Sequence, residues 1–180
     1  MADKKYGSTP DRLGRLATFY QREAQKCARA KAHFGAVVMQ TSALEAALQS
    51  ICAIYIKDVK TTSVYQKKKF RSVRNKVLEL RLDQLIRIAD ELQWFPSRRI
   101  MWAGKRTNLA GFAHEVRKVR NLVHPGLWAR ERSNVTKFTK ATYDAVYEVC
   151  DVANSWLIHR IEQGLLKAMA REENKKRGSS

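Results

Sequence analysis

From Phe34 to Tyr55 the chain carries Phe34, Val37, Val38, Ala43, Leu44, Ala47, Leu48, Ile51, Ile54 and Tyr55, spaced mostly by steps of three and four. That periodicity is helical. The apolar positions cover more than one side of the helix, and a helix of that kind has to be buried on more than one side. The spacing predicts a helix over about residues 33–57. It also makes this helix the central element, around which others must pack.

The remainder of the chain supplies those others. Pro10-Asp11 opens a pattern of Leu13, Leu16, Ala17, Tyr20 and Ala24 that ends near residue 30. Leu82 to Leu92 reads as a short amphipathic helix with Asp83 as its expected cap, stopped by Trp94-Phe95-Pro96. Asn108 can cap a helix over about 108–123, with Leu109, Phe112, Ala113, Val116, Val119 and Val123 facing the core. Thr139 can cap a long last helix over about 140–170, whose apolar series is Ala141, Ala145, Val149, Val152, Trp156, Ile161, Leu165 and Met169. Ser97–Arg106 reads as a basic connector and Gly126–Thr136 as a loop. No alternating strand pattern, hairpin dipeptide or internal repeat stands out. The expected fold is all-α: an up-down four-helix bundle with an additional short helix. Residues 11–170 form its single domain, between flexible polar ends at 1–10 and 171–180.

Charge narrows the partner. Lys and Arg number 35 against 17 Asp and Glu, a formal net charge of +18. Such an excess repels itself unless a polyanion is bound, which leaves RNA, DNA or an anionic membrane surface as candidates. The densest stretch, residues 57–81, has nine basic and two acidic residues. Lys67, Lys68, Lys69, Arg71 and Arg74, with Arg98 and Arg99, are the candidates for tracking an RNA backbone. Tyr65, Phe70, Trp94 and Trp102 could stack on unpaired bases, although the tryptophans suit a core or a dimer interface equally. Cys27, Cys52 and Cys150 have neither metal nor disulfide spacing and fall in apolar helical patterns, so free buried thiols in a reducing, cytoplasmic setting are expected. The sequence has no apolar leader segment and no run of 18 apolar residues, so no membrane association is expected. It has no Gly-rich phosphate loop and no spacing for a bound metal, so no cofactor is expected. No helix-turn-helix pattern for DNA is evident.

One short segment carries chemistry: Arg117-Lys-Val-Arg-Asn-Leu-Val-His-Pro-Gly126. On a helix His124 shares a face with Arg120, Asn121 and Arg117, and Pro125-Gly126 ends the helix just beyond it. A group titrating near neutrality beside fixed positive charge can cap a helix, grip a phosphate or move a proton. His114 points to nearly the same side and reads as a weaker candidate. Arg120 lies on or beside the core-facing stripe and needs a partner, for which Glu45 on the central helix is the obvious choice.

These residues resemble the HEPN superfamily, small α-helical domains whose hallmark is an Arg, usually followed by a polar residue, with four to six residues in all between that Arg and a His near the end of a late helix. Arg117 to His124 has six residues between and fits the spacing. Arg120-Asn121-Leu-Val-His124 has the Arg-Asn pair but three residues between, so two arginines compete for the role. Ser42-Ala-Leu-Glu-Ala-Ala-Leu48 and Leu82-Asp-Gln-Leu-Ile-Arg-Ile-Ala89 are similar to segments of a bacterial branch of the same superfamily, and the resemblance spans roughly residues 12–165. It implies a domain that dimerises with its motifs facing a shared cleft. It also implies a metal-independent endoribonuclease of a toxin–antitoxin, antiphage or mobile-element system, with an antitoxin or a nucleotidyltransferase as a further partner. Other members of the superfamily are inactive and serve as nucleic-acid, nucleotide or protein-binding modules. His124, Arg120, Arg117 and Asn121 are thus the expected catalytic group, with Glu45 in support.

Overall fold

A computed structural model describes residues 8–70, 76–102, 105–122 and 138–177. Helix α1 (Thr9–Arg29) starts where local chemistry says it should. The Ser8 hydroxyl accepts the Asp11 N–H, the Asp11 carboxylate accepts the Ser8 N–H at 3.0 Å, and Pro10 sits in the first turn. Lys31, at φ 60°, turns the chain into α2 (His33–Ile54). The Ser50 hydroxyl near the end of α2 donates to the Pro10 carbonyl at the start of α1, at 2.9 Å. The two helices are therefore antiparallel.

As its apolar surface requires, α2 is central. It packs against α1, the short α5 (Leu82–Glu91), α6 (Leu109–Asn121) and α7 (Lys140–Arg177). Leu44, Leu48 and Ile51 of α2 are buried with Leu85, Ile86 and Ile88 of α5, Phe112 and Val116 of α6, and Val146, Val149 and Leu157 of α7. By length and apolarity alone α2 would suffice to cross a membrane, with a mean hydropathy of 1.3. In this fold much of that surface is covered by the surrounding helices. Gln40 of α2 is fully buried, and neither polar atom of its amide has a hydrogen-bond partner among the described residues.

Two contacts fix the direction of α7. Phe138, just before it, meets Phe34 edge-on with ring centroids 5.1 Å apart. At the other end the Tyr55 hydroxyl donates to the Arg160 carbonyl at 3.1 Å. Hence α7 runs parallel to α2. The start of α6 is set by Asn108, which accepts the Gly111 N–H at 2.9 Å and reaches Asp90 at the end of α5 at 3.3 Å. Trp94, just past α5, lies against Tyr55. So α6 begins near the end of α2, runs back along it, and is antiparallel to α2, α5 and α7.

Several expectations need correction. The central helix ends at Ile54, and one turn, α3 (Ile56–Val59), follows it. The basic stretch is not featureless: it holds α4 (Ser63–Lys67) and a 3₁₀ turn at Lys76–Glu79. Asp83 does not cap α5. Arg81 occupies the cap position, its N–H taken by the Gln84 side chain at 3.1 Å, and Asp83 lies inside the first turn. The basic connector contains a hairpin, β1 (Ile100–Trp102) and β2 (Lys105–Thr107), paired antiparallel with Met101 opposite Arg106. Its strands are too short to show a period-two pattern. The last helix continues to Arg177, beyond the expected end at 170, and Val152, Trp156, Leu165 and Met169 of its apolar series are exposed. Its buried stripe is Tyr143, Val146, Val149, Cys150, Ala153 and Leu157, of which the expected series contains Val149. The Asn108 and Thr139 caps form as the sequence predicts, and the three cysteines are free, Cys52 and Cys150 buried.

Candidate nucleic-acid interface

Thr62 starts α4 by accepting the Tyr65 N–H on its hydroxyl. Ser63 then fastens α4 to the end of α5: its N–H and its hydroxyl donate to the two oxygens of the Glu91 carboxylate at 2.8 and 3.1 Å. This clamp holds Lys67, Lys68 and Lys69, at and past the end of α4, opposite the start of α5. Between them runs an open groove of about 450 Å³, lined by Ser63, Val64, Lys67, Lys68, Lys69, Arg81, Asp83, Gln84 and Arg87. Five cations face one carboxylate there, and that carboxylate is already paired with Arg81 at 3.6 Å. A groove so charged is suited to successive phosphates of a polyanion.

The expected lysines are thus brought together, and Arg81 and Arg87 join them. Sequence reading missed these two because their place in the groove depends on how α4 docks on α5. Arg87 lies on the polar face of an amphipathic helix, and such a face looks the same whatever it borders. Arg98 and Arg99 are exposed ahead of β1 and do not line the groove. Arg71 and Arg74 lie outside the described residues. The stacking role expected of Tyr65 and Trp94 is overturned. Trp94 is 2% exposed and Tyr65 8%, and both belong to the hydrophobic core. Phe70 is half-buried against Tyr65, and the side chain of Trp102 is not described.

Along α6 the motif residues separate by partner. Arg120 forms the expected ion pair with Glu45, at 3.6 Å, with about a third and a quarter of the two side chains exposed. Arg117 is half-buried and its Nε has no hydrogen-bond partner among the described residues. Asn121 closes α6, half-buried. His124 lies outside the described residues. Glu115, on the same helix, takes Lys105 of β2 at 2.8 Å and Lys118 at 2.9 Å. These bonds hold its carboxyl below the usual range and tie the hairpin to α6.

His114 is half-buried on α6. Burial pushes its pKa down, Arg117 and Arg87 push it further, and Asp83 and Asp90 pull the other way. Among the described residues no group of three or more His, Cys, Asp or Glu is placed to hold a metal ion. A hollow of about 840 Å³ lies elsewhere, along α1 from Pro10 to Lys26 with Ser50 and Ile54, and is lined by no residue of the groove or of α6. The chain matches no family model, no curated protein and no solved structure.

Proposed function

We propose that this chain is an RNA-directed, metal-independent endoribonuclease built on an up-down four-helix bundle of the HEPN kind. The observation that carries the reading is the groove in which Lys67, Lys68, Lys69, Arg81 and Arg87 converge on one bordering carboxylate. The alternating directions of α1, α2, α6 and α7 suit the bundle. The pairing of Arg120 with Glu45 favours Arg117 as the arginine of the motif, with the six-residue spacing to His124. RNA brings its own nucleophile. When the 2′-hydroxyl attacks the neighbouring phosphorus, its proton must leave and the departing 5′-oxygen must gain one. An imidazole does either near neutrality. A guanidinium steadies the charge that builds on the phosphoryl oxygens.

The test is incubation with RNA in excess EDTA. Cleavage leaving 2′,3′-cyclic phosphate ends is expected, and His124→Ala should abolish it while the helical circular dichroism persists. Cutting that survives in the variant would refute this active site. Lys67→Glu with Lys69→Glu should weaken RNA binding and flatten its salt dependence, by about one unit of log–log slope per lost phosphate contact.

A specific observation favours a second reading, that of a binding module without turnover. With Arg120 committed to Glu45, only one motif arginine is left for a phosphate. Salt-sensitive RNA binding with no cyclic-phosphate product would select it.

A further inference from the structure

We propose that the α4–α5 groove grips one RNA strand by its phosphates alone, indifferent to the bases and to whether they are paired. This rests on the reading of the chain as RNA-directed and states what its groove recognises. The first argument is which lining groups are left for a ligand. The Ser63 N–H and hydroxyl both donate to Glu91, at 2.8 and 3.1 Å. The Gln84 side-chain oxygen accepts the Arg81 N–H at 3.1 Å, and Asp83 pairs with Arg81 at 3.6 Å. Val64 packs against the core. By contrast, the side chains of Lys67, Lys68, Lys69 and Arg87 form no hydrogen bond or ion pair with a described residue. Telling the four bases apart takes acceptors as well as donors. Lysine and arginine offer donors only, and their charge suits phosphate first.

The second argument concerns the rings. Unpaired bases are held by stacking on aromatic side chains. No aromatic residue is among the described residues that line the groove. The two that flank the lysines in the chain are engaged with each other and with the fold. Tyr65 is buried with its ring centroid 4.6 Å from that of Phe70, and the Lys76 ammonium lies 5.6 Å from the Phe70 ring centre. The third argument is the placing of charge. The lysines stand on the α4 side and Arg87 on α5, so cations border the groove on both sides. A strand seated between them turns its phosphates inward and its bases outward, where a second strand can pair with them. With four free cations, the groove should contribute about 3 to the log–log salt slope on a single strand, at about 0.7 per phosphate.

The test compares three probes of equal length by fluorescence anisotropy over a range of salt. One is a 2′-O-methyl oligoribonucleotide, which lacks the nucleophile for cleavage. The second is the same strand annealed to its complement. The third is a phosphodiester oligomer of abasic residues, which carries no bases. The abasic oligomer should bind within about fivefold of the single strand, less than the loss of stacked bases would cause. The duplex should bind at least as tightly as the single strand. Replacing Lys67, Lys68, Lys69 and Arg87 together by Gln should weaken all three probes and lower the single-strand slope by about 3. If that variant does not fold, Arg87→Gln alone decides, with an expected drop of about 0.7. A larger loss on removing the bases, or a duplex bound more weakly than the single strand, overturns the proposal and leaves the RNA reading standing. So does a slope that the substitutions leave unchanged. Absence of binding to the single strand and the duplex at low salt overturns both.

Discussion

Arg120 is paired with Glu45, a pairing legible in the sequence. Arg120 falls on the stripe of α6 that also carries Val116 and Ala113, and a guanidinium at such a place cannot go unpaired. Its need for a carboxylate is therefore legible in helical spacing alone. The pair is partly exposed and 3.6 Å apart, so it is worth on the order of 1 kcal/mol. Glu45→Ala and Arg120→Ala should each lower stability by about that much in urea titration, and the double variant should lose clearly less than the sum. Full additivity would show that the two do not interact. Arg87 is harder to read. Its place in the groove comes from the way α4 docks on α5, which no local pattern reveals. The thiols are plainer. Burial pushes Cys52 up to about 12 and Cys150 higher still, which makes both poor nucleophiles in the folded chain.

Helices are legible wherever apolar spacing and a capping residue agree, as at Asn108 and Thr139. They are misjudged where only one of the two signals is present. The Lys-rich stretch hides α4 because its single turn has no stripe to display. In α7 the hydrophobic residues are spread around the helix, so no periodicity can say which are buried. Packing settles that, and one glycine marks the spot. A Cβ at Gly164 would fall on the Tyr55 hydroxyl, which is held by the Arg160 carbonyl. The guanidinium of Arg160 lies over the same ring, 5.6 Å from its centre. Gly164→Ala should therefore destabilise the protein by about 1–3 kcal/mol, although alanine is the better helix former. Adding Tyr55→Phe removes the obstructing oxygen and should recover part of the loss. A Gly164→Ala variant more stable than wild type in thermal melts would show that α7 does not press on Tyr55.

At the scale of the molecule, the all-α class follows from periodicity, and the preference for an anionic partner follows from charge. Nothing in the order of residues discloses that the charge gathers in a groove between two helices joined by the Ser63–Glu91 clamp. With a net charge of +18, the folded chain repels itself, and the compact state concentrates that repulsion. Inorganic polyphosphate should consequently raise the melting temperature, because it binds the folded charge array more tightly than the dispersed one. A melting temperature unmoved by polyphosphate at low salt would argue against a preassembled anion surface. The parallel course of α2 and α7 bears on biosynthesis. The α1–α2 hairpin can close as soon as it is translated, but the helix that covers another side of α2 is the last to be made. Until then Leu44, Leu48 and Ile51 lack part of their cover, and a nascent or truncated chain ending before Thr139 is a natural client for chaperones and a seed for aggregation.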